Sequence, residues 1–300
     1  MSQMVIHQRS DHALLGIALI LAANLFFSFI DTGAKWLAVA SIPALQLAFM
    51  RYIGHFVIST SLIGSGGFRL ERFITPHLPL VILRAVMLML ATILNFWAVR
   101  YLPLTLTSTI LFSSPIIICL LSWPLLGERV GPIRWVAILI GFAGVVIAIR
   151  PFDESFHWAM IISLVGAVCF ALYSLLTRQL AGKASVDVMQ FYTGAIGSLC
   201  LLPVAIWQWQ SPETISDWLI MISLGVFGWA GHQLLTRAHG FAPASTLMPF
   251  GYSFILYLSV WSYVIFAYLP DKWNLIGGAL IVVSGILIWM RELQRSAPHT

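Results

Sequence analysis

Charge is scarce in this chain. Only 9% of its 300 residues are Asp, Glu, Lys or Arg, against 60% hydrophobic, where a soluble domain carries about 25% charged residues. That scarcity excludes a water-soluble fold, which would expose apolar surface on every side. Lysine is rarest. Lys35, Lys183 and Lys272 all lie near the ends of apolar runs, so a receptor that needs a mid-span amine for a Schiff base is excluded. The eight histidines are scattered and build no cluster with acids of the kind a membrane enzyme needs for acid–base work or metal. The three cysteines, Cys119, Cys169 and Cys200, sit inside apolar runs without CxxC or metal spacing and read as small buried packing residues. The net charge is +5, but the cations stand singly between apolar runs, which argues against a nucleic-acid partner.

What the chain does have is long apolar runs. They are continuous rather than alternating, so helices are favoured over a barrel. A span needs about 20 mostly apolar residues. Ten candidates meet that: 13–34, 43–63, 77–100, 104–124, 132–150, 157–178, 187–208, 215–237, 243–267 and 273–291. The expected fold is an all-α membrane protein.

The runs repeat. Gly141-Phe142-Ala143-Gly144-Val145-Val146-Ile147 matches Val282-Val283-Ser284-Gly285-Ile286-Leu287-Ile288, with Arg150 answering Arg291. Arg100-Tyr101-Leu102-Pro103 matches the stretch that begins at Arg237 and ends at Pro243, and Phe27, Lys35 and Leu37 fall on Phe170, Arg178 and Leu180. A steady offset marks one unit written twice, over 1–150 and 151–300. Five helices per unit is odd, so the second copy enters the membrane from the opposite side. Ten transmembrane helices as two inverted five-helix repeats is a transporter architecture, with the site at the repeat interface.

Orientation follows from Lys and Arg. With the N-terminus cytoplasmic, the inner segments hold Arg9, Arg69, Arg72, Arg129, Arg134, Arg178, Lys183, Arg237, Arg291 and Arg295. The outer ones hold Lys35, Arg100, Arg150 and Lys272, and Arg51 and Arg84 remain inside spans. Both termini are expected in the cytoplasm, and Gly127-Glu128-Arg129 becomes a cytoplasmic turn.

Pro103, Ser114-Pro115, the run Trp123-Pro124-Leu125-Leu126-Gly127-Glu128-Arg129 and the glycine helix Gly141-Phe142-Ala143-Gly144-Val145-Val146 together resemble the EamA-type repeat of the drug/metabolite transporter superfamily. The second copy lacks Gly-Glu at the matching turn. The resemblance implies export of small metabolites, notably amino acids, across a bacterial inner membrane. It also implies a central cavity with helices 5 and 10 at the periphery. The branch most resembled exports aromatic amino acids among others. Other small metabolites or drugs, and outside that class a channel or a membrane-embedded enzyme, stand as alternatives.

Polar groups at membrane depth must face protein or water. In helix 1, Asn24, Ser28, Asp31 and Lys35 share one face. The face reads as cavity wall, Asn24 above all, with interhelical hydrogen bonding as the alternative, or snorkelling for Asp31 and Lys35. In helix 2, Arg51, His55 and Ser59 share a face. Two roles stay open for Arg51: an ion pair with Asp31, or capture of a substrate carboxylate, which a guanidinium matches with two parallel bonds. Arg84 lies near the cytoplasmic end of helix 3 and is expected to snorkel to lipid phosphate, and Asn95 to be buried between helices or to line the cavity. Helix 6 contributes Ser163, Phe170, Tyr173 and Thr177, helix 8 Trp229 and His232, and helix 9 Ser245, Tyr252, Ser259 and Tyr263. An aromatic cavity with few fixed charges suits a zwitterion with an apolar side chain. Asn24, His232 and Tyr252 are expected to converge there. The expected partners are a small-molecule substrate and the lipid bilayer. No cofactor, metal or catalytic residue is expected. The oligomeric state is open, with a monomer favoured.

Overall fold

The structure is a computed structural model that describes residues 2–65, 75–114, 116–118, 120–121, 132–150, 153–180, 183–241, 247 and 250–296. The turn at Gly127-Glu128-Arg129, Cys119 and Ser245 lie outside the described residues.

Among the described residues all regular structure is helical. The elements are α1 (Ser2–Val39), α2 (Ala44–Ser65), α3 (Leu78–Tyr101), α4 (Leu104–Leu111), α5 (Pro132–Ile149), α6 (Ala159–Leu180), α7 (Val186–Trp207), α8 (Ile215–Phe241), α9 (Ser253–Phe266) and α10 (Lys272–Ser296). Six segments among the described residues are long and apolar enough to cross a membrane, within α1, α3, α6, α7, α8 and α10, and α4, α5 and α9 are shorter apolar helices. A helix is the natural state for such runs, because lipid offers backbone groups no partner outside their own segment.

Polar residues mark the ends. Ser185 caps α7 by accepting from the Val188 amide at 3.3 Å, and Thr214 caps α8 through the Asp217 amide at 3.1 Å. Asp271 caps α10 through the Asn274 amide at 2.7 Å. Helix 1 runs five residues past its expected end at 34, so Lys35 and Trp36 belong to α1. The expected ninth span, 243–267, is represented by α9 from Ser253, with Tyr252 as its cap.

The most extensive interfaces join α1 to α8, α3 to α6, α2 to α7 and α5 to α10. Small residues make the approach possible. A Cβ added to Gly54 of α2 would lie 2.8 Å from the Gly225 Cα of α8. One added to Gly144 of α5 would lie 2.8 Å from the Gly277 carbonyl oxygen of α10. The glycines that mark helices 5 and 10 in the sequence thus form the seam between them, while Val136, Leu139, Phe142 and Val146 of α5 face outward. Cys200, expected to be buried, is exposed on α7. Its setting is the apolar exterior with Leu199 and Ile206, which a bilayer covers.

One end of the bundle is sealed. Ile30, Leu37, Leu47, Tyr52, Phe96 and Met221 belong to one apolar cluster beneath the α1–α2 turn. Lys35, for which snorkelling was one expectation, turns inward and donates to the carbonyls of Val99 (3.0 Å) and Leu102 (2.6 Å). An ammonium at a helix C-terminus satisfies orphan carbonyls and meets the negative end of the helix dipole.

Candidate substrate-binding cavity

Residues four apart on a helix share a face, and α2 presents Arg51, His55 and Ser59 in that way. Opposite them stand Gly225, Gly228, Trp229 and His232 of α8. Gly228 leaves room for Arg51: a Cβ there would lie 3.4 Å from the Arg51 Cγ and Nε. His55 and His232 are both buried, with ring centres 6.0 Å apart. His232 also meets Phe27 edge-on at 5.1 Å and Tyr173 at 6.3 Å.

Arg84 of α3 closes this group from a third side. It is 4% exposed, so the expected snorkelling to lipid phosphate does not occur. Its Nε donates to Thr177 Oγ1 at 2.7 Å, its Nη1 to Thr193 Oγ1 at 3.0 Å and its Nη2 to the Tyr173 hydroxyl at 2.9 Å. The guanidinium also lies 4.5 Å from the centre of the Tyr173 ring. Arg84 therefore ties α3 to α6 and α7. The position of Arg84 along its helix suggested a headgroup contact. The signal that pointed inward instead was the neutral acceptor pair Tyr173 and Thr177, one turn apart on α6.

The expected ion pair between Asp31 and Arg51 is not a direct contact, although the Arg51 charge reaches Asp31. Asp31 Oδ1 accepts from Asn95 Nδ2 at 3.0 Å, and Arg51 Nη1 donates to Thr92 Oγ1 at 2.9 Å. Among the described residues the ion pairs are those of Arg150 with Asp153 and Asp271. A neutral amide and a neutral hydroxyl already hold the two charged groups in place on separate partners.

The expected convergence of Asn24, His232 and Tyr252 is also revised. Asn24 Nδ2 donates to the carbonyls of Phe250 (3.1 Å) and Gly251 (3.3 Å) and to Ser253 Oγ (3.0 Å), where it anchors the start of α9. Tyr252 stacks on Phe112 at 5.1 Å, and its hydroxyl fills the space where Gly285 of α10 has no side chain. His232 alone of the three stands beside Arg51's partner helices at the centre. Tyr173 joins it there, Trp229 lies nearer the mouth, and Tyr263, on the expected face of α9, is exposed.

A cavity of about 550 Å³ opens above this group, lined by Ser59, Gln190, Trp229 and Gln233, with Leu62, Ser185, Asp187 and Arg237 at its exposed mouth. Gln190 was not singled out by the sequence. It links cavity and cluster, because it lines the one and lies against His55 in the other. His55 Nε2, Ser59 Oγ, Gln190 Oε1 and Trp229 Nε1 are buried without a protein partner among the described residues. Buried polar atoms are normally paired, so four in one place are suited to receive a ligand.

A second cavity of about 320 Å³ lies at the opposite end, among Tyr101, Arg150, His157, Tyr268, Asp271 and Asn274. Its charges are used up locally: Arg150 Nη2 lies 2.7 Å from Asp271 Oδ2 and Nη1 3.4 Å from Asp153 Oδ2. The Ser155 amide, and then Arg150, hold the Asp153 carboxyl below the usual carboxylate range, and burial pushes the Tyr268 hydroxyl up. This end is a latch rather than a receptor.

Comparison with known proteins agrees with a membrane carrier. The profile of the EamA-like transporter family matches residues 14–150 and 157–290. The riboflavin transporter of Vibrio cholerae is 27% identical over 95% of this chain and 96% of its own. The pseudopaline exporter CntI of Pseudomonas aeruginosa is 27% identical over 91% and 95%. The S-adenosylmethionine uptake transporter of Rickettsia bellii is 25% identical over 93% and 94%. A solved crystal structure, 21% identical and covering 93% of this chain and 97% of its own, superposes with a TM-score of 0.60 and shares the fold.

Proposed function

The chain belongs to the EamA-like transporter family, and from that premise we propose that it exports amino acids of several kinds, apolar and aromatic ones among them, by alternating access. The route is the cavity between α2, α7 and α8. The observation that carries this reading is the set of polar atoms without a partner among the described residues on Ser59, Gln190 and Trp229, which line a space of about 550 Å³, with that of His55 beside Gln190. That volume lies in the range of small-molecule sites, about 300–1,000 Å³. Trp229, Tyr173 and Phe27 offer aromatic surface for a side chain. Arg51, one turn from His55 on α2, offers a partner for a carboxylate.

The same proposal takes residues 1–150 and 151–300 as two inverted repeats that form ten spans. Exchanging α1–α5 with α6–α10 turns the α1–α8 interface into α6–α3 and the α2–α8 interface into α7–α3, and it maps α2–α7 and α5–α10 onto themselves. All of these interfaces occur, which supports the repeat. In the proposed topology the protein sits in the inner membrane with both termini cytoplasmic, and the cavity faces the cytoplasm. A cysteine placed at Glu213 should then react with an impermeant reagent from outside; reaction only after permeabilisation would reverse the topology.

The function is tested by flux of radiolabelled phenylalanine, leucine and serine in proteoliposomes. Saturable counterflow of at least one is the expected result. Counterflow of riboflavin with none for amino acids would replace the substrate and keep the route. Flux that does not saturate would favour a channel.

A further inference from the structure

Arg51 and Arg84 both stand near His55 and His232 and are occupied differently. Four of the five Arg84 N–H groups meet neutral acceptors, the Met189 carbonyl (3.4 Å) in addition to its three side-chain partners. Arg51 makes one hydrogen bond, through Nη1 to Thr92, and its remaining donors take no protein acceptor among the described residues. The acid expected to neutralise it, Asp31, is held by Asn95. Arg51 is only half-buried and lies along Gly228, whose missing side chain lets the Arg51 stem pack against α8. One turn along α2 toward the cavity, His55 Nε2 is buried without a partner, and Ser59 Oγ follows one turn later.

A guanidinium with no acid in direct contact is costly at membrane depth. A carboxylate removes that cost with two parallel hydrogen bonds in the plane of the fork. An ammonium or hydroxyl donor fits the other end, because Gln190 Oε1 can only accept. We infer that Arg51 binds a carboxylate of the substrate, seated between Arg51 and His55, with the donor end of the molecule toward Gln190 and Ser59. Arg84 is a positioning residue that adds a second positive charge behind the first. A phosphate ester is disfavoured, since it would need several open cations and four of the five Arg84 donors already meet acceptors. The inference rests on the cavity's being the transport site, but not on the cargo's being an amino acid.

The test uses the full-length purified protein, with thermal stabilisation and tryptophan fluorescence as readouts and Trp229 as the cavity's own reporter. The probes are L-phenylalanine, 3-phenylpropionate, the amides of both, and phenethyl phosphate. We expect at least one carboxylate to stabilise the wild type, its amide to bind about tenfold more weakly or worse, and the phosphate to bind more weakly than the carboxylate. Arg51→Gln should abolish the carboxylate preference, and Arg51→Lys should restore part of it. The inference is overturned by amides that equal the acids, by a tighter phosphate, by no carboxylate response in the wild type, or by an unchanged preference in Arg51→Gln. If Arg51→Gln is not monodisperse, the acid–amide comparison on the wild type decides alone. A response to 3-phenylpropionate without amino-acid binding or flux would sustain this inference and remove the amino-acid reading. Amino-acid flux with acids and amides bound equally would do the reverse.

Discussion

Beneath the α1–α2 turn, polar side chains bond to the protein itself. Lys35 holds two carbonyls at the end of α3. Gln46, fully buried, donates to the Gln210 carbonyl at 2.7 Å and accepts from the Gln210 amide at 2.8 Å, which fastens the α7–α8 connection. Trp36 donates to Asp217 at 2.8 Å. At the other end of α2, Ser59, Gln190 and Trp229 each keep a buried polar atom that meets no hydrogen-bond partner among the described residues. Single orphan hydroxyls occur in the sealed half too, such as Thr32 and Ser262, but the cavity gathers several on facing helices. Both ends therefore bury polar groups, but at one end those groups fasten helices together and at the other several have no partner among the described residues. Burial alone does not distinguish the two; the partner does.

The largest effect should come from the residue that fastens helices beside the cavity itself. Arg84→Met removes every bond from α3 to Thr177, Thr193 and Tyr173, each with a charged donor. A loss on the order of 3 kcal/mol is expected, seen as a lower melting temperature, a smaller monodisperse fraction and absent flux. Unchanged stability would mean that Arg84 is not a tether and would dissolve the contrast with Arg51.

Gln46→Ala and Ser59→Ala sharpen the comparison directly. The first strands both backbone groups of Gln210 and should cost about 1–3 kcal/mol while leaving substrate preference as it was. The second removes a hydroxyl that has no protein partner, so stability should hold within about 0.5 kcal/mol while flux falls several-fold. The opposite assignment, with Ser59→Ala unstable and Gln46→Ala altered in preference, would exchange the roles of the two ends.

The smallest stability effect is expected at the latch. Arg150 and its two acids are partly exposed, and such pairs add little to stability. Arg150→Gln should instead raise the reactivity of a cysteine placed at Asn274, because it releases α10 from the end of α5. The Asp153 carboxyl is held below its ordinary value of 3.8. Its contribution is thus present above that value and lost as pH falls through the lower, folded-state value. With Arg150 intact, the reactivity of the cysteine placed at Asn274, taken relative to a free thiol at the same pH so that thiolate formation cancels, should accordingly be flat from about pH 5 to pH 8. A steep change within that window would point to a group other than Asp153.

Composition and periodicity were enough for much of this. Scarce charge and long apolar runs specify helices in lipid, and the glycines of α5 and α10 announce a close seam. The spacing of Arg51, His55 and Ser59 places them on one face, and the structure turns that face inward. Other readings needed the neighbours. Arg84 lies where a long side chain on a lipid-facing surface would reach a headgroup, and nothing within its own helix says that α6 and α7 stand there with hydroxyls. Asp31 and Arg51 carry opposite charges at similar depth, yet Asn95 and Thr92 reach them first. Asn24 lies mid-span on a polar face, and whether that face meets water or the start of α9 depends on a helix more than 200 residues away.

By itself, then, the sequence determined the solvent, the helical state and the face on which each polar residue stands, because these follow from local hydrophobicity and a period of about 3.6 residues. The tertiary structure alone decided which polar groups find partners. Hydrogen bonds act over about 3 Å, and only the packing of distant helices places an acceptor within that reach of Arg84 and leaves most of the donors of Arg51 without one.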